Sequence, residues 1–130
     1  MKKILVIESD EILSQFICQC LNEASLESVP CTTTQAHRFA LGLPADAVVL
    51  ALAGAQIDRA PLYRALRDDP RTASIPLILC TGHRNATVSR KLGEKPPYLV
   101  FKPFDPEFLV KMVLLALKEG GEPGASAPGA

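Results

Sequence analysis

Along this chain, short unbroken apolar runs alternate with stretches in which apolar residues recur every three or four positions. The most complete run, Ala47-Val48-Val49-Leu50-Ala51-Leu52-Ala53, follows Asp46, is β-branched at Val48 and Val49, and closes at Gly54. A run without polar interruption predicts a strand buried on both faces of a parallel sheet, and this one is expected at the centre. Lys3 to Ile7, Ile75 to Cys80 and Tyr98 to Phe101 read as further buried strands. Glu27 to Thr33 is weaker and contains Pro30, which suits an edge position where a missing donor is tolerated.

The intervening stretches carry helical spacing. Leu13, Phe16, Ile17, Cys20, Leu21 and Ala24 form one amphipathic face, and Ser9 or Asp10 can cap the first turn. Gln35 to Leu43 is a short helix candidate, and Asp58 to Leu66 a third helix with Leu62, Ala65 and Leu66 inward, stopped by Asp68-Asp69-Pro70. Residues 84 to 93 hold Val88 and Leu92 as their large apolar groups and predict a short fourth helix. Asp105-Pro106-Glu107 opens the last helix with a cap, a proline at the first position and an acid in the first turn. Its apolar residues exceed one face: Phe108, Leu109, Met112, Val113 and Ala116 make one stripe, and Val110, Leu114 and Leu117 a second on roughly the opposite side. The second stripe is expected to meet a partner. From Glu119 onward the Gly, Pro and Ala content predicts a flexible tail over 119–130, leaving 1–118 as the domain.

Five strands alternating with five helices predict an α/β fold, a doubly wound parallel sheet in the order 2-1-3-4-5. Ligands in such sheets bind beyond the carboxyl ends of the strands at the switch point, here between strands one and three. That geometry brings Glu8, Ser9 and Asp10 beside Ala51, with Thr81 and Lys102 arriving from strands four and five. Asp46 lies at the opposite end of the central strand and Asp58 beyond its loop, so neither should reach this point.

Composition adds limits. The 130 residues, 48% hydrophobic and 22% charged, fit one globular domain with a single core. Fourteen basic and fourteen acidic residues cancel, so no global field draws the chain to nucleic acid or an anionic membrane. No apolar run approaches the ~20 residues of a bilayer span, and Met1-Lys2-Lys3 is too short a lead for a signal peptide, so a cytoplasmic location is expected. Cys18 and Cys20 fall on different sides of a helix and cannot grip one ion together. With Cys31 and Cys80 they read as reduced thiols, and His37 and His83 have no partner at metal-ligand spacing.

Four pieces, in order, carry a family likeness: the exit Ile7-Glu8-Ser9-Asp10, the stretch Asp69-Pro70-Arg71-Thr72 leading to Ile75-Pro76, Thr81 at the end of strand four, and Lys102-Pro103-Phe104. Over residues 3 to 118 the chain resembles the receiver domains of two-component response regulators, CheY-like domains that act in phosphorelays. The resemblance implies a phosphoryl-transfer site. An aspartate ending strand three accepts the group from a histidine kinase, Mg²⁺ is held by that aspartate and by acids of strand one, and a hydroxyl and a lysine bind the phosphoryl oxygens. Glu8 matches the first acid, Thr81 the hydroxyl and Lys102 the lysine, but Ser9 stands at the second acid and Ala51 at the nucleophile. A methyl group can neither attack phosphorus nor ligate a metal. No catalytic residue is therefore expected, no cofactor, and Mg²⁺ binding that is weak or absent. Lys102 is expected to pair with Glu8 or Asp10, and by resemblance alone the bond before Pro103 is a candidate cis peptide. The family's aromatic switch position, three before the lysine, holds Leu99; Tyr98, one place earlier, should face the other way.

These departures predict a pseudo-receiver, a non-enzymatic signalling domain that works by protein contact without phosphorylation. Its expected surface is the fourth helix, fifth strand and fifth helix: Arg90 and Lys91 in a locally basic segment, Tyr98, and Val110, Leu114 and Leu117. The partner would be another signalling protein or a second copy. Two other readings stay open: an active phosphoacceptor using a substitute residue with Mg²⁺, and an unrelated flavodoxin-like binding module or enzyme. The lack of a Gly-rich phosphate loop after strand one counts against the last.

Overall fold

A computed structural model of the protein describes residues 1–32, 42, 45–52, 61–81, 98–101 and 105–120. In chain order the elements are β1 (Lys3–Ile7), α1 (Glu11–Glu23), β2 (Glu27–Cys31), β3 (Ala47–Leu52), α2 (Pro61–Asp68), β4 (Leu77–Thr81), β5 (Tyr98–Phe101) and α3 (Pro106–Gly120). The helices expected over 35–43 and 84–93 fall outside the described residues. All strand pairs are parallel, in one five-stranded sheet ordered β2-β1-β3-β4-β5. This is the doubly wound order expected from the sequence, with β3 central and Pro30 on the edge strand opposite Val6.

Side chains alternate along each strand, so the sheet has two cores. On one face Leu5, Ile7, Val48, Leu50, Leu77 and Leu79 pack with Tyr63 and Leu66 of α2. On the other, Ile4, Val6, Val49, Ala51, Ile78 and Val100 pack with Ile17 and Leu21 of α1 and with Leu109, Val113 and Ala116 of α3. Burial of this kind, at ~25 cal/mol per Å² of apolar surface, is the main force holding helices this short.

Helix faces are rotated from those expected. In α1 the buried residues are Ser14, Ile17 and Leu21, while Phe16 is 42% exposed and Cys20 half-buried. Asp10, not Ser9, is the cap: its Oδ1 accepts the Leu13 N–H at 3.1 Å. The helix ends without glycine. Ser25 takes the left-handed conformation (φ 66°), so that its N–H reaches the Asn22 carbonyl and the Leu26 N–H the Leu21 carbonyl, each at 3.0 Å. In α2, which runs on to Asp68, Tyr63 is almost wholly buried together with Leu66, and Leu62 and Ala65 are only half-buried.

The Asp-Pro-Arg-Thr stretch after α2 has a local explanation. The Thr72 hydroxyl donates to the Leu66 carbonyl at 2.6 Å and closes the helix end, while Arg71 forks onto the Asp69 carboxylate at 3.1 and 3.0 Å. Ile75 belongs to this turn, its N–H donating to the Thr72 carbonyl, and Pro76 has no N–H to give. Strand β4 therefore starts at Leu77, two residues later than expected. β2 stops at Cys31, two residues short of Thr33.

In α3, Leu109, Val113 and Ala116 face the core, Met112 is half-buried and Phe108 is 45% exposed. The helix continues to Gly120, past the expected boundary at 118. Among the described residues no helix is long and apolar enough to cross a membrane.

Candidate functional site

The register places the switch-point residues side by side. Ile7 pairs with Leu50, so Glu8, just past the end of β1, comes beside Ala51, the last but one residue of β3; Ala51 pairs in turn with Cys80, and Leu52 with Thr81. Thr81 pairs with Phe101 on its other side, and Lys102 follows Phe101 in sequence but lies outside the described residues. Glu8, Ser9, Asp10, Ala51 and Thr81 thus converge on the carboxyl edge of the sheet.

Ala51 is 1% exposed and belongs to the apolar cluster beneath α1 and α3, together with Val49 and Cys80. Glu8 is 5% exposed, and its Oε1 accepts the Asp10 N–H at 2.9 Å. Asp10 itself is exposed and turned to its helix: its carboxylate holds the Leu13 N–H and its carbonyl the Ser14 N–H. Ser9 is exposed, and Thr81 is fully buried at the end of β4. Asp46 sits at the far end of the sheet, where its Oδ2 accepts the Lys3 N–H at 2.7 Å.

These donors do not fit Mg²⁺. The cation wants near-octahedral hard oxygen ligands, usually with one or two carboxylates directly bound. Here one carboxylate is tied into the β1 exit, a second caps α1, and the β3 position offers a methyl. Among the described residues no group of three or more His, Cys, Asp or Glu could hold a metal ion.

The residues expected on an interaction surface are distributed differently. Tyr98 packs against the core beneath α1 and α3, and Leu99 against the opposite one, as strand alternation requires. The Tyr98 hydroxyl donates to the Glu119 carboxylate in the last turn of α3. Burial, and then this bond, push its pKa up to about 12. Val110 lines a groove of about 330 Å³ between α1 and α3, Leu117 is half-buried against the core, and Leu114 is 46% exposed. Arg90 and Lys91 lie outside the described residues. Phe101, Phe108 and Leu115, each over 40% exposed, are surface apolar residues that the sequence reading did not single out as such.

Beside the site, between the exits of β1 and β2 and the first turns of α1, lies a second cavity of about 460 Å³. Ser14, Cys31 and Thr32 line it; of these the sequence marks Cys31 alone, and only as a reduced thiol. The available signal was a serine placed three before Ile17 and seven before Leu21, on the inward stripe. Burial pushes the Cys31 thiol up to about 11, so it is protonated at neutral pH.

No protein-family model matches the chain, and no curated protein sequence matches it. Solved structures do. A signal receiver domain of a signal transduction histidine kinase from Syntrophus aciditrophicus superposes with a TM-score of 0.79 at 21% identity, covering 91% of each chain. The receiver domain of a Francisella response regulator gives 0.78 at 20% identity, covering 91% of this chain and 98% of that one. A sensor protein from Polaromonas gives 0.77 at 21%, covering 92% and 98%. At such identities the likeness is one of fold, and the fold is that of CheY-like receiver domains.

Proposed function

We propose that this chain is a receiver-like signalling domain of a two-component or phosphorelay system, acting in the cytoplasm through protein contact and without accepting a phosphoryl group itself. The observation that carries this reading is Ala51. At the β3 exit, where the resemblance puts the acceptor aspartate, stands a methyl group 1% exposed within an apolar cluster. Phosphoryl transfer is catalysed almost wholly by positioning and charge neutralisation. Without a nucleophile, and without a carboxylate pair to hold Mg²⁺, both requirements fail together. The fold that normally relays phosphorylation then serves as a fixed shape. The surface proposed for its partner, a signalling protein or a second copy, is formed by Leu114 with Val110 and Leu117 on α3, Tyr98 on β5, and Arg90 and Lys91.

A Mg²⁺ titration of the ¹⁵N-labelled protein tests the metal half of this reading. The expected result is no saturable shift at the amides of Glu8, Ser9 and Asp10 at millimolar Mg²⁺. Saturation there would restore the active-receiver alternative.

A further inference from the structure

The outward face of α3 carries a single stripe. Glu107, Lys111, Leu114 and Lys118 are all exposed and follow one another at steps of four, three and four, so they stand in line along the helix. Phe108 and Leu115 flank the line on one side, and the half-buried Val110 and Leu117 on the other. These steps are the ones by which one helix seats against another in a coiled coil.

The charges on the stripe decide what the facing helix must carry. Glu107 in the first turn, Lys111, and Lys118 in the last turn form no ion pair among the described residues. Glu119, the acid next to Lys118, is engaged by the Tyr98 hydroxyl of β5, so the last turn presents a positive charge. A complementary helix is therefore basic where it meets Glu107 and acidic where it meets Lys118.

α3 is that helix when it runs in the opposite direction. With a two-fold axis between Met112 and Val113, Glu107 faces Lys118 of the second copy at each end, and Lys111 lays its stem along Leu114. On the flanks Phe108 comes against Leu115, and Val110 against Leu117. Parallel pairing would instead set Glu107 on Glu107 and Lys118 on Lys118. The groove of about 330 Å³ agrees with the antiparallel direction: its walls are the first turns of α3 and the end of α1, with Glu23 and Glu107 among them. The second half of the other helix lies there and brings Lys118 toward both acids. A formal net charge of zero leaves no overall repulsion between copies.

We propose that α3 pairs antiparallel with α3 of a second copy of this chain. The proposal rests on the reading of α3 as the contact surface and names its occupant. A helix of 15 residues is about 22 Å long, and a contact of that length is at the small end of specific interfaces, so the dimer is a micromolar one. Sedimentation equilibrium of the full chain, without Mg²⁺ or a phosphoryl donor, should show exchange between monomer and dimer from micromolar to millimolar concentration. Glu107→Lys or Lys118→Glu alone sets like charges opposite at both ends and should weaken dimerisation about tenfold. Mixing the two variants puts acids opposite bases again, and a heterodimer should form to within about threefold of the unsubstituted affinity. A chain monomeric throughout, a dimer indifferent to either reversal, or a mixture as weak as the single variants would overturn the assignment. A monomer whose capture of a different signalling protein is lost in Leu114→Asp overturns the second copy as occupant but keeps α3 as the surface. The Mg²⁺ titration reads the missing phosphoryl chemistry separately.

Discussion

Whether the crevice between β1 and β3 can hold a divalent cation depends on the side chains of Glu8, Asp10 and Ala51. The apolar run after Asp46 marks the central strand, Ala47–Leu52, and the resemblance singles out Ala51 within its last two residues. How the two acids are spent was not legible in the sequence. Glu8 and Asp10 are both needed to shape the β1 exit and cap α1, and a cap is recognised only once the helix start is known to the residue. Two other residues give the protein a pH dependence. Cys31 has its pKa raised from 9.0 to about 11, and Tyr98 from 10.0 to about 12. Both are neutral acids disfavoured from ionising in the folded state, so their contribution is fully present below pH 9. It declines as the unfolded chain begins to ionise and the pH climbs through the folded values. Urea unfolding between pH 8 and 11 should show stability falling above pH 9, and Cys31→Val should remove the first part of that fall. A flat profile in the unsubstituted protein would contradict the assignment.

The elements differ in how faithfully the apolar pattern reports them. Strands β1, β3 and β5 stand where their runs predicted, since a doubly buried strand needs only an unbroken run and no phase. Helix faces need a phase, and at about 100° per residue a shift of one position exchanges Leu62 for Tyr63, while Ser14 and Phe16, two apart, lie on roughly opposite sides. Tyr63 went unrecognised because tyrosine is commonly amphipathic, whereas here the whole ring is enclosed in the core over β3 and β4. The α1 terminus was hidden for a related reason. Ser25 makes the left-handed turn that glycine usually makes, so the sequence lacks the expected stop signal. A Cβ at φ 66° is strained, and Ser25→Gly should relieve that strain by more than it adds to unfolded-state freedom. The expected outcome is a gain of about 0.5–1 kcal/mol in urea midpoint analysis at constant m value. A loss of the same size would mean that Ser25 contributes a contact beyond its backbone role.

At the scale of the whole molecule, strand order followed from alternation and right-handed crossovers, and sheet order β2-β1-β3-β4-β5 agrees with it. The surface was harder to read, because apolar excess on a helix does not say which neighbour absorbs it. Of the second stripe on α3, Val110 and Leu117 are partly taken up by α1 and the core, leaving Leu114 exposed. Leu114→Asp should therefore leave stability within about 0.5 kcal/mol and weaken self-association or partner capture, read by sedimentation and pull-down. Unchanged association would reduce the stripe to ordinary surface. The central claim is that a receiver fold persists here without receiver chemistry, and its most direct test is intact-mass measurement after incubation with Mg²⁺ and acetyl phosphate. The account predicts an unmodified mass; a stoichiometric gain of one phosphoryl group would contradict it.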